Sequence, residues 1–248
     1  MVTIFPRLFD PLLAEGILAR AIRSGVLDIR VHDLRDYAAD RHRSTDDEAY
    51  GGGAGMVMLA EPVFRCVEAI MAERREGERP RVVLMSPQGR LLDQKLASEL
   101  SVCGWLVILC GRYEGFDERV REALVDLELS VGDFVVAGGE IPAMLVVEAV
   151  GRLVDGVVGD RNSVEADSFY SGLLDHPHYT RPAELRGMKV PEVLLSGHAE
   201  RIRRWRREQS LRATMEKRPD LLASARLDEE AEEMLRAIRG ERGEGERG

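Results

Sequence analysis

The chain has 248 residues, of which 44% are hydrophobic and 32% charged, and its formal net charge is −9. This composition is ordinary for a globular protein with enough apolar material for a core. The absence of a long apolar run excludes a transmembrane helix, and the N-terminus lacks the basic and apolar regions of a signal peptide. Three scattered cysteines exclude a disulfide framework, so we expect a cytoplasmic protein.

Apolar patterning over the first two-thirds of the chain predicts alternating strands and helices, which is typical of an α/β fold. The predicted strands are Val2–Phe5, Leu27–Leu34, Arg81–Met85, Trp105–Cys110 and Asp133–Ala137. The predicted helices are Pro11–Ser24 with Gly25 as its C-cap, Glu61–Arg75, Asp93–Leu100, Asp117–Leu124 and Pro142–Val154.

The pattern changes near Gly156. Residues 156–186 are rich in Gly, Ser, Asp, Pro and His and lack periodicity, which is typical of a linker or an active-site segment. Further helices are predicted at Ala199–Glu208, Ser210–Lys217 and Leu227–Ile238. The domains are therefore predicted as a first domain 1–158, a linker or active-site segment 159–174, a helical domain 175–239 and a disordered tail 240–248.

Four turns rich in glycine or proline are the first features of the sequence that could bind a ligand. Tyr50–Gly55 is not a phosphate-binding loop, because no Lys-Ser/Thr follows it, and its composition favours a flexible surface loop. Ser86–Gly89 and Cys110–Gly115 each follow a predicted strand, and the glycines of Ser130–Glu140 bracket another. Glycine lets backbone approach a ligand, and parallel sheets bind ligands beyond their carboxyl ends. These turns therefore predict a small-molecule pocket, with ordinary crossover turns as the alternative.

The polar segment that follows contains residue types that metal binding and acid–base catalysis both use. His176 and His178 are two residues apart, as ligands on a strand would be, but no cysteine nearby completes a metal set. We therefore predict no metal site. Asp167 fits either a helix N-cap or a catalytic carboxylate, and its position alone favours the cap.

A basic cluster lies near the C-terminus, with five arginines among the seven residues 201–207. The acidic net charge argues mildly against a nucleic-acid partner, but the distribution of charge matters more than its sum. Such a cluster is most often a solvated helix face. Trp205 among the arginines favours RNA, which is bound through phosphate contacts and stacking.

Taken in chain order, these segments resemble the bacterial tRNA (guanine-N1)-methyltransferase family, TrmD, within the SPOUT methyltransferases. The resemblance covers nearly the whole chain. The strings that carry it are Phe5-Pro6, Asp46-Asp47, Tyr50–Gly55, Ser86–Gly89, Cys110–Gly115, Asp117–Val120, Ser130–Met144, Asp167–Phe169, Pro177–Pro182, Val190–Gly197, Trp205-Arg206 and Arg218–Leu221.

The resemblance implies an α/β domain with a SPOUT-type parallel sheet and a deep trefoil knot, plus a small C-terminal all-helical domain. Periodicity could not predict a knot, because knots are nearly absent among protein folds. The resemblance also implies that S-adenosylmethionine is bound in the knot loops. The residues matching its binding site are Leu84, Ser86, Pro87, Gly111, Tyr113, Glu114, Ser130, Val131, Gly132, Asp133, Phe134, Val135, Val136, Gly138 and Gly139.

The substrate implied by the resemblance is the guanine immediately 3′ of the tRNA anticodon. Asp167 matches the family's proposed general base and Arg152 its catalytic arginine. The family is a homodimer whose active sites are shared between subunits. Family members are reported to need Mg2+, for which this sequence offers no carboxylate cluster. The RNA-binding residues would be Arg203, Arg204, Arg206 and Arg207.

Two other functions fit parts of the same pattern. One is a SPOUT methyltransferase that acts on a different RNA. The other is a non-catalytic RNA-binding protein that has kept the scaffold. The order and extent of the matching strings argue against the first, and the presence of Arg152 and Asp167 beside a complete set of glycines argues against the second.

Overall fold

The structure is a computed structural model that describes residues 1–73, 79–159 and 167–245. The chain divides into two units, Met1–Gly159 and Asp160–Gly248. None of the described helices is long and apolar enough to cross a membrane.

A parallel sheet organises the first unit. The unit's strands are β1 (Val2–Thr3), β2 (His32–Asp33), β3 (Asp46–Glu48), β4 (Met56–Met58), β5 (Arg81–Leu91), β6 (Leu106–Cys110) and β7 (Leu127–Ser130). Five of them pair in parallel in the order β2-β1-β6-β5-β7, and β3 and β4 form a separate antiparallel hairpin. The expected α/β fold with a central parallel sheet is confirmed.

Helices connect these strands. They are α1 (Asp10–Ala14), α2 (Gly16–Arg23), α3 (Ala60–Ala72), α4 (Gln94–Ser101), α5 (Glu118–Leu124) and α6 (Glu140–Gly151), with short 3-10 helices at Pro6–Phe9 and Leu34–Tyr37. Aspartate side chains cap the N-termini of α4 and α5. Asp93 accepts a hydrogen bond from the Leu96 N–H at 2.7 Å, and Asp117 accepts one from the Arg119 N–H at 2.9 Å. Gly25 ends α2 in the left-handed conformation, with φ +74°, as its predicted C-cap role requires.

Both faces of the sheet are buried, which explains why Val82–Met85 of β5 and the whole of β6 are continuous apolar runs. Leu84 and Leu109 point to the core formed with α3 and α5, through Val63, Val67 and Val120. The residues that alternate with them, including Val83 and Ile108, point to the core formed with α4 and α6. The layers are therefore helix, sheet and helix.

The strand predicted at Asp133–Ala137 is wrong. These residues form an irregular, exposed loop, in which the side chains of Phe134 and Val135 are 57% and 85% exposed. A short apolar run does not by itself distinguish a buried strand from an apolar loop. The strand in this part of the chain is β7, which forms one edge of the sheet. Only Leu127 and Leu129 alternate with polar residues there, and a pattern of two apolar residues is too short to predict a strand.

Three further predictions differ from the structure in extent. The helix predicted at Pro11–Ser24 is interrupted at Glu15, which has extended backbone angles between α1 and α2. Of the strand predicted at Leu27–Leu34, only β2 forms. The helix predicted at Glu61–Arg75 is described as α3, and residues 74–75 lie outside the described part of the chain.

The second unit is mainly helical in its described part. It contains a small antiparallel hairpin, β8 (Glu184–Leu185) with β9 (Met188–Lys189), and α7 (Glu192–Leu195), α8 (Ala199–Lys217), α9 (Pro219–Ser224) and α10 (Glu229–Gly245). Leu211 of α8 packs with Ala231, Met234 and Ile238 of α10. The two helices predicted within 199–217 are thus one, and α10 extends into the predicted tail, of which 246–248 lie outside the described residues.

Candidate functional site

The middle of β5 and the carboxyl ends of β6 and β7 border one cavity of about 270 Å3 in the first unit. Three of the four turns singled out in the sequence line it: Ser86-Pro87 within β5, Gly111–Gly115 after β6, and the stretch from Ser130 to Gly139 after β7. Parallel topology explains the convergence, because neighbouring strands deliver their ends to the same edge.

The structure brings nearly all of the predicted cofactor residues to this cavity. Leu84 and Asp133 are the exceptions: Leu84 is buried in the sheet core and Asp133 is exposed on the loop. The sequence prediction also missed lining residues that adjoin predicted ones along the chain. These are Met85, Arg112, Gly115, Leu129, Ala137 and Pro142.

Close backbone approach makes glycine necessary at the loop that precedes α6. The Gly139 N–H donates to the Gly111 carbonyl at 2.8 Å, and a Cβ on residue 139 would lie 2.8 Å from the Cα of Cys110. A Cβ on Gly138 would overlap with the side chain of Arg112. Larger residues would therefore push this loop away from β6 and change the cavity.

The turn after β6 is also held in an unusual conformation. Tyr113 has φ +58°, a left-handed value that costs a non-glycine residue energy, and Gly115 has φ +104°. The Gly115 N–H closes the turn by donating to the Arg112 carbonyl at 3.0 Å. The turn thereby directs Tyr113 and Glu114 to the cavity rim, where both side chains are exposed.

A buried charged pair anchors the loop from below. Glu140 is fully buried and accepts a hydrogen bond from Oγ1 of Thr3 at 2.7 Å. Its Oε2 lies 2.8 Å from Nε of Arg112, although the Nε–H is not aligned with that oxygen. Arg112 also donates to the Ala137 carbonyl at 3.3 Å, and its guanidinium lies 4.6 Å from the ring centre of Phe5. The pair thus joins β1, the turn after β6 and the loop before α6.

Cys110 lies at the end of β6 next to this pair. Burial, together with the negative charge of Glu140, raises the pKa of its thiol well above the ordinary value. A thiol that stays protonated is a poor nucleophile. The cavity is therefore suited to binding and not to covalent catalysis by Cys110.

The first glycine group is the loop of the β3–β4 hairpin. Its exposure fits the predicted surface loop, and four of its glycines have positive φ. Gly55 nevertheless packs against the cavity rim, because a Cβ there would lie 2.5 Å from Oε1 of Glu114. The Glu114 N–H donates to the Met56 carbonyl at 3.0 Å, which fixes the hairpin to the turn after β6.

The two predicted catalytic residues lie in different units. Arg152 is half-buried in the first unit and directly follows α6, where a positive charge also favours the helix C-terminus. Asp167 is half-buried in the second unit, and its carbonyl accepts the Tyr170 N–H at 3.3 Å. Asp167 therefore begins a turn, so the N-cap interpretation is not supported.

The predicted RNA-binding arginines on α8 divide into two groups. Arg203 pairs with Glu200 at 2.7 Å and with Glu230 at 2.8 Å. Arg207 pairs with Glu230, at 2.8 Å, and with Asp228. By contrast, Arg204 and Arg206 are exposed and form no ion pair with any described residue. Half of the predicted set is therefore engaged in holding α8 to the start of α10.

Comparisons with known proteins identify the family of the chain. The family model described as tRNA (Guanine-1)-methyltransferase TrmD matches residues 1–224. The chain is 53% identical over 228 residues to a tRNA (guanine-N(1)-)-methyltransferase of Geobacter metallireducens, covering 92% of each chain. It is 52% identical over 240 residues to one of Symbiobacterium thermophilum, covering 96% of this chain and 97% of the relative. It is 48% identical over 238 residues to one of Halalkalibacterium halodurans, covering 96% of each. The chain therefore belongs to the TrmD family of tRNA (guanine-1)-methyltransferases.

Proposed function

We propose that this chain transfers the methyl group of S-adenosylmethionine to N1 of the guanine immediately 3′ of a tRNA anticodon. Membership of the family supports the reaction class. The observation that carries the proposal is the convergence of three turns on one cavity, at a point where Gly138 and Gly139 leave no room for a Cβ.

The residues around the cavity fit S-adenosylmethionine. Pro87, Leu129, Val131 and Val136 offer apolar surface for an adenine ring. The turn after β6 and the loop before α6 both contribute glycines to the lining, and glycine lets a ligand approach the backbone. When bound, the cofactor supplies a sulfonium-activated methyl group, so no protein nucleophile is required. This agrees with the raised pKa of Cys110. In the proposed SPOUT fold, the turn after β6 and the loop before α6 are the loops of the trefoil knot.

Two side chains of this chain carry the acid–base part of the proposed reaction. Guanine N1 bears a proton that must leave before or during methyl transfer, and the carboxylate of Asp167 accepts it. A carboxylate is a weak base compared with the groups that usually remove a proton from nitrogen. Arg152 stabilises the negative charge that develops at guanine O6, which lowers the demand on that base.

A second copy of the chain completes the proposed active site. Exposed apolar side chains lie on neighbouring elements of the first unit, because α6 packs against the 3-10 helix Pro6–Phe9. They are Phe5 and Leu8, each 42% exposed, with Ile141 and Leu145, 54% and 50% exposed. Exposed apolar side chains on two neighbouring elements favour a subunit interface. The proposed assembly is a homodimer with shared active sites in the cytoplasm.

The test uses an unmodified tRNA transcript in which the last nucleotide of the anticodon and the nucleotide immediately 3′ of it are both guanine. Incubation with the full chain and radiolabelled S-adenosylmethionine, followed by nuclease digestion and mapping, should give N1-methylguanine at the position 3′ of the anticodon. The matched control replaces that guanine by adenine and should remain unlabelled. Label at another site or only in another RNA would overturn the substrate assignment, and absence of label with intact tRNA binding would support the non-catalytic alternative.

A further inference from the structure

Three side chains of the second unit that the proposed reaction does not use converge on one another. Nδ1 of His176 lies 2.6 Å from Oδ1 of Asp175, and Nε2 of His178 lies 2.8 Å from Oδ2 of the same carboxylate. The two ring nitrogens and the carboxylate oxygen all lie within 4.8 Å of one another. Sequence spacing pointed only to the two histidines, and the structure adds Asp175.

The backbone that carries these residues is fixed to α8. The Leu174 N–H donates to Oγ1 of Thr214 at 2.9 Å, and Oγ of Ser210 donates to the Leu174 carbonyl. The Asp175 N–H donates to Oγ of Ser168 at 2.9 Å. Because these bonds hold the segment from both sides, the three ligand atoms are positioned before any ion arrives.

Burial of the cluster is one-sided. The side chain of His176 is 11% exposed and that of Asp175 is 24% exposed, whereas that of His178 is 70% exposed. An ion could therefore enter on the side of His178, and water could complete its coordination there.

We propose that Asp175, His176 and His178 form a binding site for one divalent transition-metal ion of the zinc type. Two imidazoles and a carboxylate are a ligand set that zinc and its neighbours favour, whereas Mg2+ prefers oxygen ligands alone. In a tetrahedral zinc site, ligand atoms are about 3.4 Å apart, as follows from zinc–nitrogen bonds of about 2.05 Å. The observed separations require only small side-chain movements to reach that geometry.

Metal binding replaces the two hydrogen bonds within the cluster. Each imidazole would bind the ion as the tautomer that leaves the ring nitrogen facing Asp175 without a proton. The bond from Asp175 to Ser168 connects the site to the residue that follows Asp167. A bound ion would thus stiffen the segment that carries the proposed base, although the site itself does not depend on the proposed function.

The experiment uses the full chain, with any affinity tag removed and treated with a chelator. Calorimetry with Zn2+ alone should give one site per chain, and Co2+ should give the visible absorption bands of a low-coordinate ion. Two variants test the ligands: His178→Ala changes an exposed side chain and should not affect folding, and Asp175→Asn keeps the side-chain shape. Each should weaken Zn2+ binding by at least about 100-fold, which is the upper end of the cost of losing an outer-shell partner.

Two controls make the result specific to this site. His198→Ala removes an exposed histidine of the same unit outside the cluster, and Cys103→Ser removes the one thiol that is not fully buried. Both variants should bind Zn2+ as the parent chain does. Unchanged affinity in His178→Ala and Asp175→Asn, or an equal loss in either control, would overturn the proposal and leave the cluster as a carboxylate hydrogen-bonded to two imidazoles.

Discussion

Arg112 and Glu140 form an ion pair beneath the cavity, with Nε of Arg112 2.8 Å from Oε2 of a carboxylate that has no exposure to solvent. A buried charge is costly unless a partner of opposite charge and hydrogen bonds compensate it. Glu140 also stands in the first turn of α6, where the positive end of the helix dipole favours a carboxylate. The position of the loop before α6 therefore depends on this pair.

Glu140→Gln should weaken both the fold and cofactor binding. The amide keeps the shape of the side chain and can accept the Thr3 hydrogen bond, but it removes the charge opposite Arg112. Breaking a buried pair costs about 3–5 kcal/mol, and the partial exposure of Arg112 places the expected loss at or below about 3 kcal/mol. Urea unfolding measures the stability, and calorimetry measures the affinity for S-adenosylmethionine.

Glu118→Gln is the matched control for this substitution, because Glu118 pairs with Arg121 on the surface of α5. Exposed pairs contribute about 0–1 kcal/mol, so this variant should behave almost as the parent chain does. Equal stability of the two glutamine variants would mean that the buried pair does not hold the loop.

Gly139→Ala should lower the affinity for S-adenosylmethionine by at least tenfold, equivalent to about 1.4 kcal/mol. The added methyl group would meet the backbone of Cys110 and residue 111, which the sheet holds in place. Gly138→Ala should have a smaller effect, because the atoms it meets belong to the Arg112 side chain.

Gly104→Ala is the control for both glycine variants, since a Cβ there has no neighbour within 4 Å and the backbone needs no positive φ. Its cofactor affinity should equal that of the parent chain. If all three alanine variants bind S-adenosylmethionine equally, the proposed cofactor site is misplaced.

The sequence predicts the sheet better than the cavity loops, for a physical reason. β5 and β6 are buried on both faces, so their apolar runs are visible without any tertiary information. The loop at Asp133–Ala137 is equally apolar, yet its environment is set by turns that are distant in sequence. Its position depends on Arg112, which no local pattern indicates.

The polar sites differ in the same way. Family resemblance supplied the residues around the cavity, but not the pairing of Arg112 with Glu140 or the contribution of Asp175 to the histidine pair. Both depend on contacts that only the folded chain reveals. The pattern within 199–217 likewise predicted helical structure, although as two helices where the structure has α8 alone. The division of its arginines into paired and unpaired ones depends on the position of α10.

The two groups of arginines on α8 should respond differently to neutralisation. Arg204→Gln with Arg206→Gln should weaken tRNA binding and reduce the slope of log affinity against log salt by about 1–2, since about one counterion is released for each phosphate contact. Arg203→Gln with Arg207→Gln should change the slope less and should lower the thermal midpoint, because Glu230 loses both partners.

Filter binding over a range of salt concentrations measures the first effect, and thermal unfolding followed by circular dichroism measures the second. Each double variant is the control for the other, since both remove two positive charges from the same helix. Salt slopes that equal the slope of the parent chain in both variants would mean that the whole cluster is a solvated helix face and does not contact RNA.

Asp167→Asn should separate methyl transfer from cofactor binding. The amide is nearly the same size but cannot accept the N1 proton, so turnover should fall by about 100- to 10,000-fold, the usual contribution of a general base. Affinity for S-adenosylmethionine should stay nearly unchanged, because the proposed base acts on the guanine and is not a predicted cofactor contact. Single-turnover assays with saturating tRNA measure the rate of methyl transfer, and calorimetry measures the affinity for S-adenosylmethionine.

Asp220→Asn is the control, because Asp220 is an exposed aspartate of the same unit that pairs with Arg218, and this variant should keep full turnover. A large loss of cofactor affinity in Asp167→Asn would contradict this division of roles, and full turnover would remove Asp167 from the reaction.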